Sequence, residues 1–183
     1  MPSVWVLTSV AAIVASFIIG FLIFYIISPL EKKEKKHLLE EILSLLINFI
    51  IYIWVGKVIS NVSTFIQDPL AVLAYPSNSS AFYIALFFTV IHVGYKVKRS
   101  QMQIVPTLYS FMTIFLAASF IYESIQMIVF DEQSSWIYLA LLLVLMVVWI
   151  SLDGRVSTRN VAFVLLITWT VGKMLLSFFL PFT

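Results

Sequence analysis

Three charged side chains stand inside otherwise apolar stretches: Lys57, Glu123 and Lys173. A charge inside hydrocarbon is costly, so such residues mark ion paths, ligand sites or paired structural supports. Each has polar company at helical spacing. Asn61 follows Lys57 by four residues, Ser119 and Gln126 flank Glu123, and Thr170 and Ser177 flank Lys173. Residues three or four apart share a helix face, so each charge would head a small polar patch. One carboxylate can neutralise one lysine, which leaves the other positive. The set therefore predicts a ligand-binding cluster of Lys57, Asn61, Glu123, Gln126 and Lys173, suited to an anionic or zwitterionic group. The competing expectation is that both lysines snorkel to the nearby interface and that Glu123 pairs with one of them to set helix register.

Elsewhere the pattern does not assemble into catalysis. His37, Glu40 and Glu41 lie together and His92 lies far along the chain, but no metal-ligand spacing joins them. His92 is expected to be a neutral, hydrogen-bonded histidine near Tyr95 and Phe88, and Asn48 and Tyr52 to hold neighbouring helices together. There is no Gly-rich phosphate loop, His-Glu-x-x-His pair or Gly-x-Ser-x-Gly elbow. Cysteine is absent, so disulfides and thiolate sites are excluded. No catalytic residue, cofactor or metal is expected. Thr8, Ala12, Ser16 and Gly20 instead form a stripe of small residues every four positions. Such a stripe lets a second helix approach closely, either within the chain or from a partner.

The elements that must position these residues follow from composition. Of the 183 residues 62% are hydrophobic and 11% charged, and the mean hydropathy is +1.05. A soluble domain carries about 25% charged residues, and a chain of this length cannot build a core large enough to hide so much apolar surface. Soluble enzymes and disordered chains are excluded, and a net charge of +2 gives no reason to expect a nucleic-acid partner. A bilayer-spanning helix needs about 20 apolar residues. Six such runs predict an all-α, six-span bundle forming a single polytopic membrane domain over 1–183, with helices near 4–28, 42–66, 79–96, 104–130, 135–152 and 159–181. The runs lack period-2 alternation, which argues against a β-barrel.

Orientation follows from the loops. Lys32, Lys33, Lys35, Lys36, Lys96, Lys98, Arg99, Arg155 and Arg159 all fall in the first, third and fifth connections, whereas Asp68, Asp131 and Glu132 fall in the others. The positive-inside rule then places the basic loops in the cytoplasm and both termini outside. The first run is expected to stay in the membrane, since no basic residue precedes it and it is too long for a signal peptide. Ser28-Pro29-Leu30-Glu31 reads as the start of a helix whose charged first turns extend into water. Leu70–Tyr75 reads as a short interfacial helix, and Asp153-Gly154 as a tight turn. At about 1.5 Å per residue, Lys57, Glu123 and Lys173 reach similar depths in the outer leaflet. The two halves show no inverted repeat.

These features lead to three functional expectations. The first is a non-enzymatic subunit, sensor or assembly partner acting through helix contacts, made by the first or fifth span, in the plasma membrane of a bacterium. The second is a small transporter or solute-binding protein using the Lys/Glu/Lys cluster. The third is a lipid- or lipoprotein-modifying enzyme using Glu123 or His92 as an acid or base.

Overall fold

The computed structural model describes residues 4–28, 30–74, 78–130 and 135–179. Pro29, Tyr75, Asp131, Glu132 and Thr183 therefore lie outside the described residues. About 90% of the described residues are helical, and no strand occurs among them. The helices are α1 (Val4–Ile27), α2 (Lys32–Ser60), α3 (Val62–Gln67), α4 (Pro69–Ala74), α5 (Ser79–Lys98), α6 (Ile104–Val129), α7 (Ser135–Leu152) and α8 (Thr158–Phe179). Five of them, α1, α2, α5, α6 and α8, are long and apolar enough to cross a bilayer. That is the all-α membrane architecture expected from composition. The remaining expected span, the fifth, corresponds to α7, a shorter apolar helix over Trp136–Leu152.

The expected second helix has its charged extension but ends earlier. The charged segment from Lys32 is continuous with the apolar one, so α2 starts in the basic loop. At the other end it stops at Ser60, and Asn61 interrupts the run that continued to Ile66. Asn61 turns its amide back to donate to the Lys57 carbonyl at 3.0 Å, and its own N–H bonds the Val58 carbonyl three residues back. An asparagine side chain competing for main-chain partners is a recognised way to end a helix. The short α4 begins where Asp68 accepts from the Ala71 N–H at 3.0 Å. This is the N-cap role that an Asp-Pro start requires.

The chain divides into two compact units, one of Met1–Lys36 and Val105–Thr183, the other of His37–Ile104. In the first, α6, α7 and α8 share a core. Met112 and Leu116 of α6 meet Leu142, Leu145 and Trp149 of α7 and Val161, Ala162 and Leu165 of α8. On each helix these positions recur at three- and four-residue intervals, the spacing that lays one stripe along a helix face. The α7–α8 connection is the expected Asp153-Gly154 turn. Gly154 takes φ +73°, and the N–H groups of Arg155 and Val156 both return to the Leu152 carbonyl. A residue with a Cβ would be strained there. Helix α1 joins this unit along its small residues. Ala12 and Ser16 are 7% and 1% exposed, and a Cβ placed on Gly20 would lie 2.9 Å from the Ile114 carbonyl oxygen of α6. Thr8, the first residue of the stripe, is exposed.

In the second unit α2 and α5 are in close contact. A Cβ on Gly56 would fall 2.6 Å from the Ala81 carbonyl oxygen and 3.0 Å from its Cα. Ala81 and Ala85 are fully buried. Small residues on both sides let the backbones meet, as in other intramembrane helix pairs. Asn78 caps α5 by accepting from the Ala81 N–H at 2.9 Å, which anchors the helix where the approach is tightest.

Candidate functional site

The five residues of the expected polar cluster do not share one compact unit. Lys57 and Asn61 belong to the second unit, and Glu123, Gln126 and Lys173 to the first. Lys57 stands in the last turn of α2 and is 9% exposed. Its ammonium donates to the Leu73 carbonyl of α4 at 3.3 Å. A cation near a helix C-terminus also complements the helix dipole. Asn61 is committed to the Lys57 carbonyl, so its placement is explained by the break after α2.

In the first unit Glu123 and Lys173 meet around Tyr138 of α7. The Lys173 ammonium lies 3.4 Å from the centre of the Tyr138 ring, a cation–π contact of the kind that strengthens away from water. The Tyr138 hydroxyl accepts from the Trp169 indole at 2.9 Å, and Trp169 packs edge-on against Phe115 with centroids 5.1 Å apart. Glu123 attracts Lys173 through its field, without a contact ion pair between them. Gln126 donates to the hydroxyl of Tyr122, the residue next to Glu123, at 2.8 Å.

Beside these groups a pocket of about 190 Å³ opens between α1, α6 and α7. It is lined by Ile13, Ser16, Phe17, Phe115, Ala118, Ser119, Tyr122, Glu123 and Tyr138. Its geometry follows from the small-residue stripe. Gly20 draws α1 onto α6 at Ile114 and Ala118, and one turn further along, at Ser16, the helices leave room. The Ser16 hydroxyl turns away to donate to the Ala12 carbonyl at 2.7 Å. What remains is an aromatic-walled recess with one carboxylate in its lining.

Two polar arrangements were not singled out from sequence. In the first unit the Tyr109 hydroxyl donates to the Asp153 carboxylate at 2.6 Å and accepts from the Trp149 indole at 3.1 Å. In the second, the Glu41 carboxylate, although buried, lies 3.9 Å from the Lys96 ammonium. His92 is hydrogen-bonded to the Tyr52 hydroxyl through Nδ1 at 2.7 Å, whereas Asn48 bonds within its own helix to the Ser44 carbonyl at 2.8 Å. Among the described residues no group of three or more histidine or acidic side chains could hold a metal ion. No known family matches the chain, and no curated protein or solved structure matches it either.

Proposed function

We propose that the chain is a six-span, non-enzymatic integral membrane protein that acts as a subunit, sensor or assembly partner through intramembrane helix contacts. The observation that carries this reading is how little most of the long apolar helices bury. Within the apolar stretches of α1, α2, α5 and α8 only 22%, 17%, 11% and 17% is buried inside the chain, against 50% for α6. Ile47, Ile50 and Trp54 on α2 and Phe87, Val90 and Ile91 on α5 are all exposed. Spans that bury so little of themselves suit a lateral partner as well as lipid. Purification of the full chain from its native membrane in mild detergent should yield a stoichiometric complex, detected by native mass spectrometry. A strictly monomeric species under those conditions would refute the reading.

The remaining span in this proposal is α7. Its 18 residues extend about 27 Å at 1.5 Å per residue, close to the ~30 Å hydrocarbon thickness. With six spans and the basic connections in the cytoplasm, both termini face outward, in the plasma membrane of a bacterium. Single cysteines introduced at Lys33, Lys98 and Arg155 should resist an impermeant thiol reagent in intact cells, whereas those at Asn78 and Ser177 should react. Protection of the Ser177 site together with labelling of the Arg155 site would remove α7 from the set of spans.

The second reading is a small transporter or solute-binding membrane protein. The aromatic pocket containing Glu123 favours it, because an intramembrane ionisable residue lining a cavity is by default a candidate ligand group.

A further inference from the structure

We propose that the pocket beside Glu123 binds an alkylammonium group. The proposal rests on the solute-binding reading and changes the sign of the ligand expected from sequence. The surplus positive charge of the five-residue cluster pointed to an anion, but Glu123 is among the residues lining the pocket and neither lysine is. Around it stand the rings of Phe17, Phe115, Tyr122 and Tyr138. A carboxylate among aromatic faces is the surface that recognises primary and quaternary ammonium ions. Glu123 accepts no hydrogen bond and forms no contact ion pair among the described residues, so its lone pairs remain open to a donor. The volume, about 190 Å³, is that of about six waters at ~30 Å³ each, enough for an ammonium on a short apolar stem.

Next to the pocket, one of its lining rings already holds such a group. The side chain of Lys173 is an alkylammonium, and it sits 3.4 Å from the centre of the Tyr138 ring within the attractive field of Glu123. Lys173 is thus a tethered competitor. It partly neutralises Glu123 and occupies one aromatic face, so an incoming ammonium is opposed by a like charge. Removing Lys173 should therefore tighten binding of a cation. An anion or zwitterion held by Lys173 would show the opposite response.

The test uses the full chain in phosphatidylglycerol nanodiscs, with n-butylammonium, tetramethylammonium, butyrate and 1-butanol as probes, read by thermal unfolding and tryptophan emission. The ammonium probes should bind saturably and the other two should not. Glu123→Gln should weaken ammonium binding about tenfold or more, and Lys173→Met should strengthen it by up to about tenfold, as expected for gain or loss of a charge-assisted contact. Glu123→Asp, which keeps the charge, should retain the ammonium preference and serves if Glu123→Gln does not fold. Repeating the titration in phosphatidylethanolamine nanodiscs separates the sources. Because an anionic surface itself concentrates cations, the Glu123-dependent part is compared: a Glu123→Gln effect lost there identifies a lipid headgroup as the ammonium donor, and one retained identifies a free amine. Weaker ammonium binding in Lys173→Met, or a preference for butyrate, would overturn the proposal while leaving a solute site in place. If no probe of any charge binds in a Glu123-dependent way, the solute-binding reading fails with it.

Discussion

Gly56→Ala should separate α2 from α5 and cost about 3 kcal/mol or more, at or beyond the upper end of the usual penalty for overpacking. The new methyl carbon would lie 2.6 Å from the Ala81 carbonyl oxygen and 3.0 Å from its Cα. Both are backbone atoms of a helix pinned by the Asn78 cap, so neither can swing aside as a side-chain tip would. Gly94, also on α5, is the internal control. A Cβ there meets nothing within 4 Å, so Gly94→Ala should raise stability by up to about 1 kcal/mol through helix propensity alone. Thermal unfolding of both variants in the same nanodisc decides the matter. Equal midpoints for the two would mean that α2 and α5 do not approach at Gly56.

Trp149→Ala is the second large effect, expected at about 3–5 kcal/mol, the usual loss for deleting a buried aromatic side chain. Trp149 is 2% exposed and lies in the α6–α7–α8 core. Its indole N–H donates to Tyr109, whose hydroxyl donates to Asp153 beside the α7–α8 turn. Tyr109→Phe keeps the packing but leaves the indole N–H and the carboxylate without that hydroxyl, at about 1–3 kcal/mol. Because the three side chains form one chain of hydrogen bonds, the double variant should fall short of the sum of the singles. Strict additivity would show that Trp149 acts by volume alone. These differences can be read by denaturant titration in mixed micelles.

What the sequence made legible was position along each helix. Apolar run length located five long helices and the shorter α7, and i,i+4 spacing grouped Ala12, Ser16 and Gly20 on one face. The similar depth expected of Lys57, Glu123 and Lys173 brought all three forward, and of them Glu123 and Lys173 lie in one compact unit. Azimuth was not legible. Helical periodicity states which residues share a face, but not which neighbour that face meets, so nothing distinguished the Tyr138 ring from a carboxylate as the seat of Lys173. The Leu73 carbonyl that receives Lys57 is a main-chain atom and carries no residue-type signal. Tyr109 and Asp153 are 44 positions apart, and Tyr52 and His92 are 40 apart. The usable hint for each pair was that an aromatic hydroxyl at one depth needs a partner at the same depth on another span.

The discontinuity of the first unit bears on how the chain is made. Its parts, Met1–Lys36 and Val105–Thr183, are separated by the whole of His37–Ile104. At synthesis rates of about 5–20 residues per second, α1 emerges roughly 4–16 s before α6, and during that interval it has no α6 to pack against. A helix that must wait in lipid cannot leave a bare hydroxyl there without cost. Ser16 meets that condition on its own, because its donor is already committed to the Ala12 carbonyl one turn back. The second unit is contiguous and can close as a hairpin while α1 waits. Chain order thus favours local pairing first and long-range capture of α1 afterwards, with Gly20 at the contact that α1 makes with α6.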